Sequence, residues 1–445
     1  MKYTPIDKLV VKPVSKLIHS SLASGIVLFS SVIVALVLAN SAWANDYFHF
    51  WEYEFSIQLA DWVVSKNLHH WINDGLMAVF FFVIGLELKR EIMNGELSNP
   101  KNAILPIGAG LGGMIFPALI YLCINPGGNE VDGWGIPMAT DIAFALGILH
   151  FLGKRVPMRL KIFLTVLAIA DDLGAVLVIA FFYTSDISMY SLGIASVFLA
   201  IMFLGNILGV RSLWFYSIVG LGGFWLSFSM SGVHATISGV LAAFAIPGNV
   251  KISRISFVDR MKRLIGDYES AKVEQDTTLV SGEKMKILSK IKYYSNAAVT
   301  PLQKLENVLH PIVAFIIMPI FALANAGIAF SDEIIADLSS PVTLGIMFGL
   351  VIGKFLGVTG MVRVLTWLKL SELPKGVTWN HIIGVGFIAG IGFTMSLFIN
   401  NLAFTDPVLI SRAKTGILFA SIIAGLIGFI ILSREGRKNG VQDDA

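Results

Sequence analysis

The sequence predicts an all-α, polytopic membrane protein, and three observations carry that prediction. First, 55% of the 445 residues are hydrophobic and only 14% are charged, whereas a soluble domain carries about 25% charged residues. With a mean hydropathy of +0.75, the chain lacks the polar surface that water would demand. Second, apolar windows long enough to cross a hydrocarbon core of roughly 30 Å recur along the chain. Twelve are counted as spans 1 to 12, centred near residues 29, 78, 112, 141, 172, 199, 221, 240, 320, 350, 390 and 423. Third, the basic residues alternate with those windows. Of the 33 Lys and Arg residues, 29 fall before span 1, after span 12 or in the even-to-odd loops. Lys66, Arg412 and Lys414 lie on the opposite side, and Lys354 lies inside span 10. The positive-inside rule then places both termini in the cytoplasm.

The elements follow in order. The apolar run Leu17–Leu38 exceeds the h-region of a signal peptide, so despite AWA at 42–44 it reads as a retained first span. Span 2 carries Asp74 near one end and Glu87, Arg90 and Glu91 at the cytoplasmic end. Span 4, GWGIPMATDIAFALG, is interrupted. Pro137 cannot donate a backbone N–H, and Thr140 and Asp141 follow within one turn. Span 5, LTVLAIADDLGAVLVIAFFY, holds Asp171 and Asp172 at its centre. The one long polar segment is 248–307, and residues 250–307 carry eleven basic and seven acidic side chains. It reads as a solvated cytoplasmic loop touching anionic headgroups, with KMKILSKIKYY as a short amphipathic helix. Span 11, IIGVGFIAGIGFTMS, holds Gly384, Gly386, Gly390 and Gly392 and is the second candidate interruption. The net charge of +3 is scattered over short loops, so no nucleic acid partner is expected. Cys123 is the single cysteine, which excludes an intrachain disulfide and reads as a small apolar filler.

An Asp at the centre of a membrane helix costs roughly 2.5–3.5 kcal/mol on insertion scales. Asp74, Asp141, Asp171, Asp172 and Lys354 therefore need partners or a function, and Asp74 shows no obvious companion in the sequence. Asp171 and Asp172, about 100° apart around the helix axis, face adjoining sectors of one interior. Ala168, Gly174 and Ala175 lie about one turn either side and admit close helix packing. Two neighbouring buried carboxylates do not both ionise easily, so a proton and a hard, oxygen-seeking cation compete for the same atoms. Lys354 supplies a counter-charge when the cation is absent. Dipole ends exposed at two interrupted helices suit an anion such as Asp141 and a cation such as Lys354. The pattern therefore points to transport. An intramembrane aspartyl protease needs its carboxylates on separate helices and a GxGD-like motif, which the chain lacks. A channel favours symmetric rings of carboxylates.

ATDIAFALGIL (139–149), LAIADDLGAV (167–176), SGVHATISGV (231–240), ANAG (324–327), GKFLG (353–357) and GIGFTMSLFI (390–399) resemble the signature blocks of the NhaA sodium–proton antiporters, as does WINDGLMAVFFFVIGLELKRE (71–91). That family is itself a type example of inverted repeats with discontinuous helices, so the reading of broken spans is not independent of it. The resemblance implies twelve transmembrane helices in one integral membrane domain spanning 1–445. Core repeats would cover about 100–185 and 340–435, with spans 4 and 11 unwound and crossing, and the remaining spans about 15–95 and 187–330. It implies Na+ or Li+ extrusion in exchange for protons across a bacterial inner membrane, pH-regulated and electrogenic, with no cofactor. Asp172 would be the main cation ligand and Asp171 its partner, pairing with Lys354 in the ion-free state. Thr140 and Asp141 would sit at the span 4 interruption. Glu87, Arg90, Glu91, Glu306 and His310 match a cytoplasmic cluster tied to pH activation. His234 falls on a histidine linked to the pH response, or is a hydrogen-bonded structural histidine. A homodimer is implied, with the polar stretch between spans 1 and 2 as its contact. The chain departs from the family at Asn307, where a second histidine is common, and in the length and charge of the preceding loop.

Overall fold

The computed structural model describes residues 21–59, 62–184, 187–271, 280–330 and 337–440. Lys2, Lys8, Lys12 and Lys16, on which part of the expected orientation rests, lie outside them. The chain opens with α1 (Ser21–Ala39) and α2 (Ala44–Glu52). A two-stranded antiparallel hairpin follows, β1 (Glu54–Leu59) with β2 (Trp62–Asn67), in register Glu54↔Asn67 to Leu59↔Trp62. The sequence reading anticipated only a polar stretch here.

Four long helices come next, the third of them interrupted: α3 (Leu68–Asn94), α4 (Pro100–Ile124), a 3-10 segment Val131–Met138 leading into α5 (Ile142–Phe151), and α6 (Met158–Phe182). After them come α7 (Met189–Ile207), α8 (Leu213–Ser229), α9 (Ala235–Ala245), α10 (Arg254–Ser270), α11 (Gly282–Ala298) and α12 (Pro301–Asn325). The last group is α13 (Pro341–Trp367), α14 (Trp379–Ile388), α15 (Phe393–Ala403) and α16 (Pro407–Gly440).

Local chemistry starts these helices. Proline occupies the first helical position of α4, α12 and α13, where a missing N–H costs nothing. The side chains of Asn99, Thr300 and Ser340 accept from the first-turn amides, and Thr300 with Gln303 closes a capping box. Among the described residues, nine helices are long and apolar enough to cross a membrane, and the α14–α15 pair, bent by 45° at its break, makes a tenth. The two other expected windows are the shorter helices α8 and α9. The 11 residues of α9 rise only about 16 Å, well short of a hydrocarbon core. What the helices carry is therefore a multi-pass membrane fold rather than a demonstrated count of twelve.

Two packing features position the centre of the bundle. α4 lies against α13 at a glycine crossing: a Cβ on Gly112 would fall 2.3 Å from the Gly357 carbonyl oxygen. Small residues allow that approach where lipid supplies no hydrophobic drive between helices. Immediately before Lys354, residues Gly349–Gly353 form a π-turn, and a second one, Trp71–Leu76, contains Asp74. The segment expected as a solvated loop holds the helical pair α10 and α11, the second of which contains the expected KMKILSKIKYY helix, and the pair has a small core of its own around Leu264, Ala271 and Ile287. Cys123 is exposed, not a filler.

Candidate functional site

The interruption in span 4 lies at Ala139–Asp141, just past the 3-10 segment that contains Pro137. The interruption in span 11 falls at 389–392, between α14 and α15. The two breaks meet. The Asp141 N–H donates to the Ile391 carbonyl (2.6 Å), an amide that no intrahelical partner serves. Asp141 also caps α5, its Oδ1 accepting from the Phe144 N–H (3.2 Å). Its Oδ2 accepts from the Thr394 N–H (3.0 Å) and the Thr394 hydroxyl. A carboxylate at the N-termini of two half-helices faces the positive ends of both. Ser396 donates to the Ile136 carbonyl (2.8 Å), a further tie between the interrupted segments. Thr394 and Ser396 were not anticipated, although both stand in the quoted GIGFTMS run.

α6 presents Asp171 and Asp172 to this junction, and both are fully buried. Asp171 Oδ2 accepts from the Lys354 ammonium, itself 0% exposed, and lies 2.7 Å from the Thr140 hydroxyl. That hydroxyl is also 2.8 Å from the Ala389 carbonyl, so its single proton is shared between Asp171 of α6 and the break in span 11. Asp172 differs: among the described residues, neither of its buried carboxylate oxygens has a hydrogen-bond partner, and Asp171 Oδ1 has none. Buried polar atoms are nearly always satisfied. The three partnerless oxygens belong to two successive carboxyl groups, and carboxyl oxygens are the atoms that a hard cation or a proton seeks.

Comparison with known proteins adds to this geometry. A family model described as Na+/H+ antiporter 1 matches residues 15–432. The chain is 48% identical to a Na(+)/H(+) antiporter NhaA of Oleidesulfovibrio alaskensis, over 96% of this chain and 95% of that protein. It is 48% identical to one of Acidithiobacillus ferrooxidans, over 97% and 99%. Against an NhaA 2 of Syntrophotalea carbinolica, identity is 47% over 94% and 95%. The chain belongs to the NhaA family of Na+/H+ antiporters.

The residues for which NhaA resemblance suggested a pH role fall into two places. Near the end of α3, Arg90 pairs with Glu306 of α12 and with Glu91 (3.0 Å), while His310 Nε2 stands 3.9 Å from Glu87. Lys89, not anticipated, donates to the Phe244 (2.6 Å) and Ile246 (2.5 Å) carbonyls at the C-terminus of α9, where a cation also meets the negative dipole end. His234 stands apart, as the N-cap residue of α9. Burial holds its pKa below the ordinary 6.5, and the charge of Asp74 only partly opposes this. Asp74 is not without companions as the sequence suggested. His70 Nε2 lies 2.6 Å and Lys66 Nζ 3.4 Å from its Oδ2, and the i,i+4 spacing of His70 was readable in advance. A further polar group joins three spans: the Asn325 amide donates to Asn73 Oδ1 (3.0 Å), and Asn325 Oδ1 receives Asn401 (2.5 Å) and lies 2.9 Å from His69.

Proposed function

We propose that this chain expels Na+, and Li+ with it, in exchange for protons across a bacterial inner membrane. The observation that carries the reading is the contrast between the two aspartates of α6. Asp171 is held by Lys354 and Thr140, while both oxygens of Asp172 are buried without partners. The NhaA relatives, named as Na(+)/H(+) antiporters, supply the substrates for that arrangement.

In the proposed cycle, a proton on Asp172 removes a buried charge, and Na+ restores the balance by taking the carboxylate oxygens as ligands. Because one set of oxygens serves both, proton and cation cannot be carried together, and their competition is the coupling. Asp171 exchanges its ammonium partner for the ion, so Lys354 holds the site together when Na+ is absent. Asp141, Thr140 and Thr394 bind the two interruptions into one unit beside the carboxylates. Alternating access moves this unit relative to the remaining helices, with twelve passes, crossing interrupted spans, cytoplasmic termini and a homodimer joined through the 54–67 hairpin as the proposed arrangement. Exchange of more than one proton per Na+ makes the cycle electrogenic. Glu87, Arg90, Glu91, Glu306, His310 and His234 are the proposed pH-responsive groups.

The experiment is Na+- and Li+-dependent proton flux in proteoliposomes, with K+ as the control ion. Asp172→Asn removes the cation ligand and is expected to abolish flux while the protein still folds, since Asn needs no counter-charge. Wild-type flux from Asp172→Asn would overturn the assignment.

A further inference from the structure

α10 and α11 run antiparallel: the Arg260 guanidinium lies over the Tyr294 ring (4.8 Å) and the Lys284 ammonium over the Tyr268 ring (5.2 Å). Their mutual contact uses Leu264 and Tyr268 on one helix and Ile287, Ile291 and Tyr294 on the other. Stepping about 100° per residue from those inward stripes places Ile265 and Val258 about a quarter of a turn to one side on α10, with Ile255 further round toward its back. Rotation in the same sense reaches Leu288 about a quarter of a turn round α11, with Met285 further round toward its back. In two antiparallel helices that face each other, equal rotations in one sense end on the same broad face. These five apolar side chains are 77, 41, 52, 54 and 38% exposed, respectively. Lys262 and Lys292 stand among them, both exposed, against the single acid Glu269 on that side. The opposite broad face carries Arg260, Asp267, Lys286 and Lys290 instead.

The root of the pair is fixed. The Lys251 N–H donates to the Ala297 carbonyl (3.1 Å), and the Leu302 N–H donates to the Pro247 carbonyl (3.2 Å). The pair is therefore pinned onto the adjoining ends of α9 and α12, within a few residues of the hydrocarbon core. We infer that the face bearing Ile255, Val258, Ile265, Met285 and Leu288 docks onto the anionic headgroup layer of the bilayer that the spans cross. Position and charge choose this occupant. A surface of apolar side chains with interspersed lysines matches the boundary between acyl chains and anionic phosphates, and the tether keeps that boundary within reach. The inference rests on the proposed orientation, with this segment in the cytoplasm.

The test uses full-length protein. Cys123 is the only cysteine, so Cys123→Ser provides a background for spin labels at V258C and M285C on the docking face and at K286C and K290C on the other. All four positions are exposed, so labelling leaves the fold intact, with Na+-dependent proton flux as the check. In vesicles of phosphatidylglycerol and phosphatidylethanolamine, labels at 258 and 285 are expected to gain collisions with oxygen and lose them with an aqueous nickel chelate. Labels at 286 and 290 stay accessible to the chelate. High salt or pure phosphatidylcholine weakens the protection. Equal accessibility of all four labels to the chelate overturns the docking. Protection that appears in detergent and grows with protein concentration overturns it in favour of a second copy of the chain. Labelling of K286C by an impermeant maleimide from outside intact cells overturns the orientation, and the docking with it.

Discussion

A single methyl group added at Gly112 tests how firmly the Lys354–Asp171 pair depends on the approach of α4 to α13. A Cβ there falls 2.3 Å from the Gly357 carbonyl oxygen and 2.8 Å from the Met361 Cβ, where ordinary contact begins at 3.4 Å. Raising the first distance from 2.3 to 3.4 Å requires the helices to part by about 1 Å. Overpacking of this kind costs about 1–3 kcal/mol, a factor of roughly 5 to 150 in the folding equilibrium. The gain of up to about 1 kcal/mol that Ala brings to a helix offsets part of it. Lys354 lies three residues before Gly357 on the same side of α13, so the displacement also draws the ammonium from Asp171. Gly112→Ala is therefore expected to lower both the melting midpoint in detergent and the Na+-dependent proton flux in proteoliposomes. Gly360→Ala is the control, because nothing lies within 4 Å of a Cβ at that position of the same helix. It should melt at or above the wild-type temperature. If Gly112→Ala matched wild type in both assays, the glycine crossing would not be what holds the pair, and the reasoning would fail.

Other perturbations reach different parts of the site. Thr394→Val removes the hydroxyl that donates to Asp141 but leaves the Thr394 and Phe144 amides in place. A lost bond to a buried carboxylate is expected to cost about 1.5–3 kcal/mol, read as a lower melting midpoint with slower flux. Lys354→Ala strands the Asp171 carboxylate and should destabilise by about 3–5 kcal/mol. The Lys354→Ala, Asp171→Asn double variant should recover part of that loss, and a double variant no more stable than Lys354→Ala would refute an ion-pair role. His234 has its pKa lowered by burial, so the folded protein takes up its proton less readily than the unfolded chain. Its contribution to stability is complete above pH 6.5 and is lost as pH falls through the lowered value. His234→Gln should flatten the melting profile on that acid side, and a profile unchanged in slope would count against the burial argument.

The site was legible in the sequence where a single segment carries the signal. Asp171 and Asp172 stand out because nothing else in their twenty-residue window is charged, and Pro137 and the 384–392 glycines lie beside the two breaks, at Ala139–Asp141 and 389–392. The partners of those segments were not legible. Whether Thr140 meets Ala389, or Asp141 meets Ile391 and Thr394, depends on tertiary contact between parts of the chain with no shared pattern. Pro137 itself also misled slightly, since the chain winds through it as a 3-10 segment and breaks only at Ala139. The hairpin of β1 and β2 escaped notice because only its first strand, EFSIQL, alternates polar with β-favouring residues, while WVVSKN does not, and strands of six residues are too short to stand out beside helical windows. α10 and α11 show the reverse case. Their high charge suggested solvation, yet a stripe of Leu, Ile and Tyr at helical spacing was enough for a small core.

The junction of the two interruptions also constrains how the protein is made. Asp141 and Thr394 are 253 residues apart, and synthesis delivers the first long before the second. Until residues 389–394 arrive, the Asp141 amide and its Oδ2 lack the partners they have in the folded protein, and only Oδ1 is served, by the Phe144 N–H; at membrane depth each unsatisfied polar group costs several kcal/mol. The nascent first half must therefore keep this segment in the translocon's shelter or in contact with water. The last eighth or so of translation is then a step of assembly as well as elongation, and a ribosome stalled before residue 389 would leave behind a chain that cannot settle in the bilayer alone.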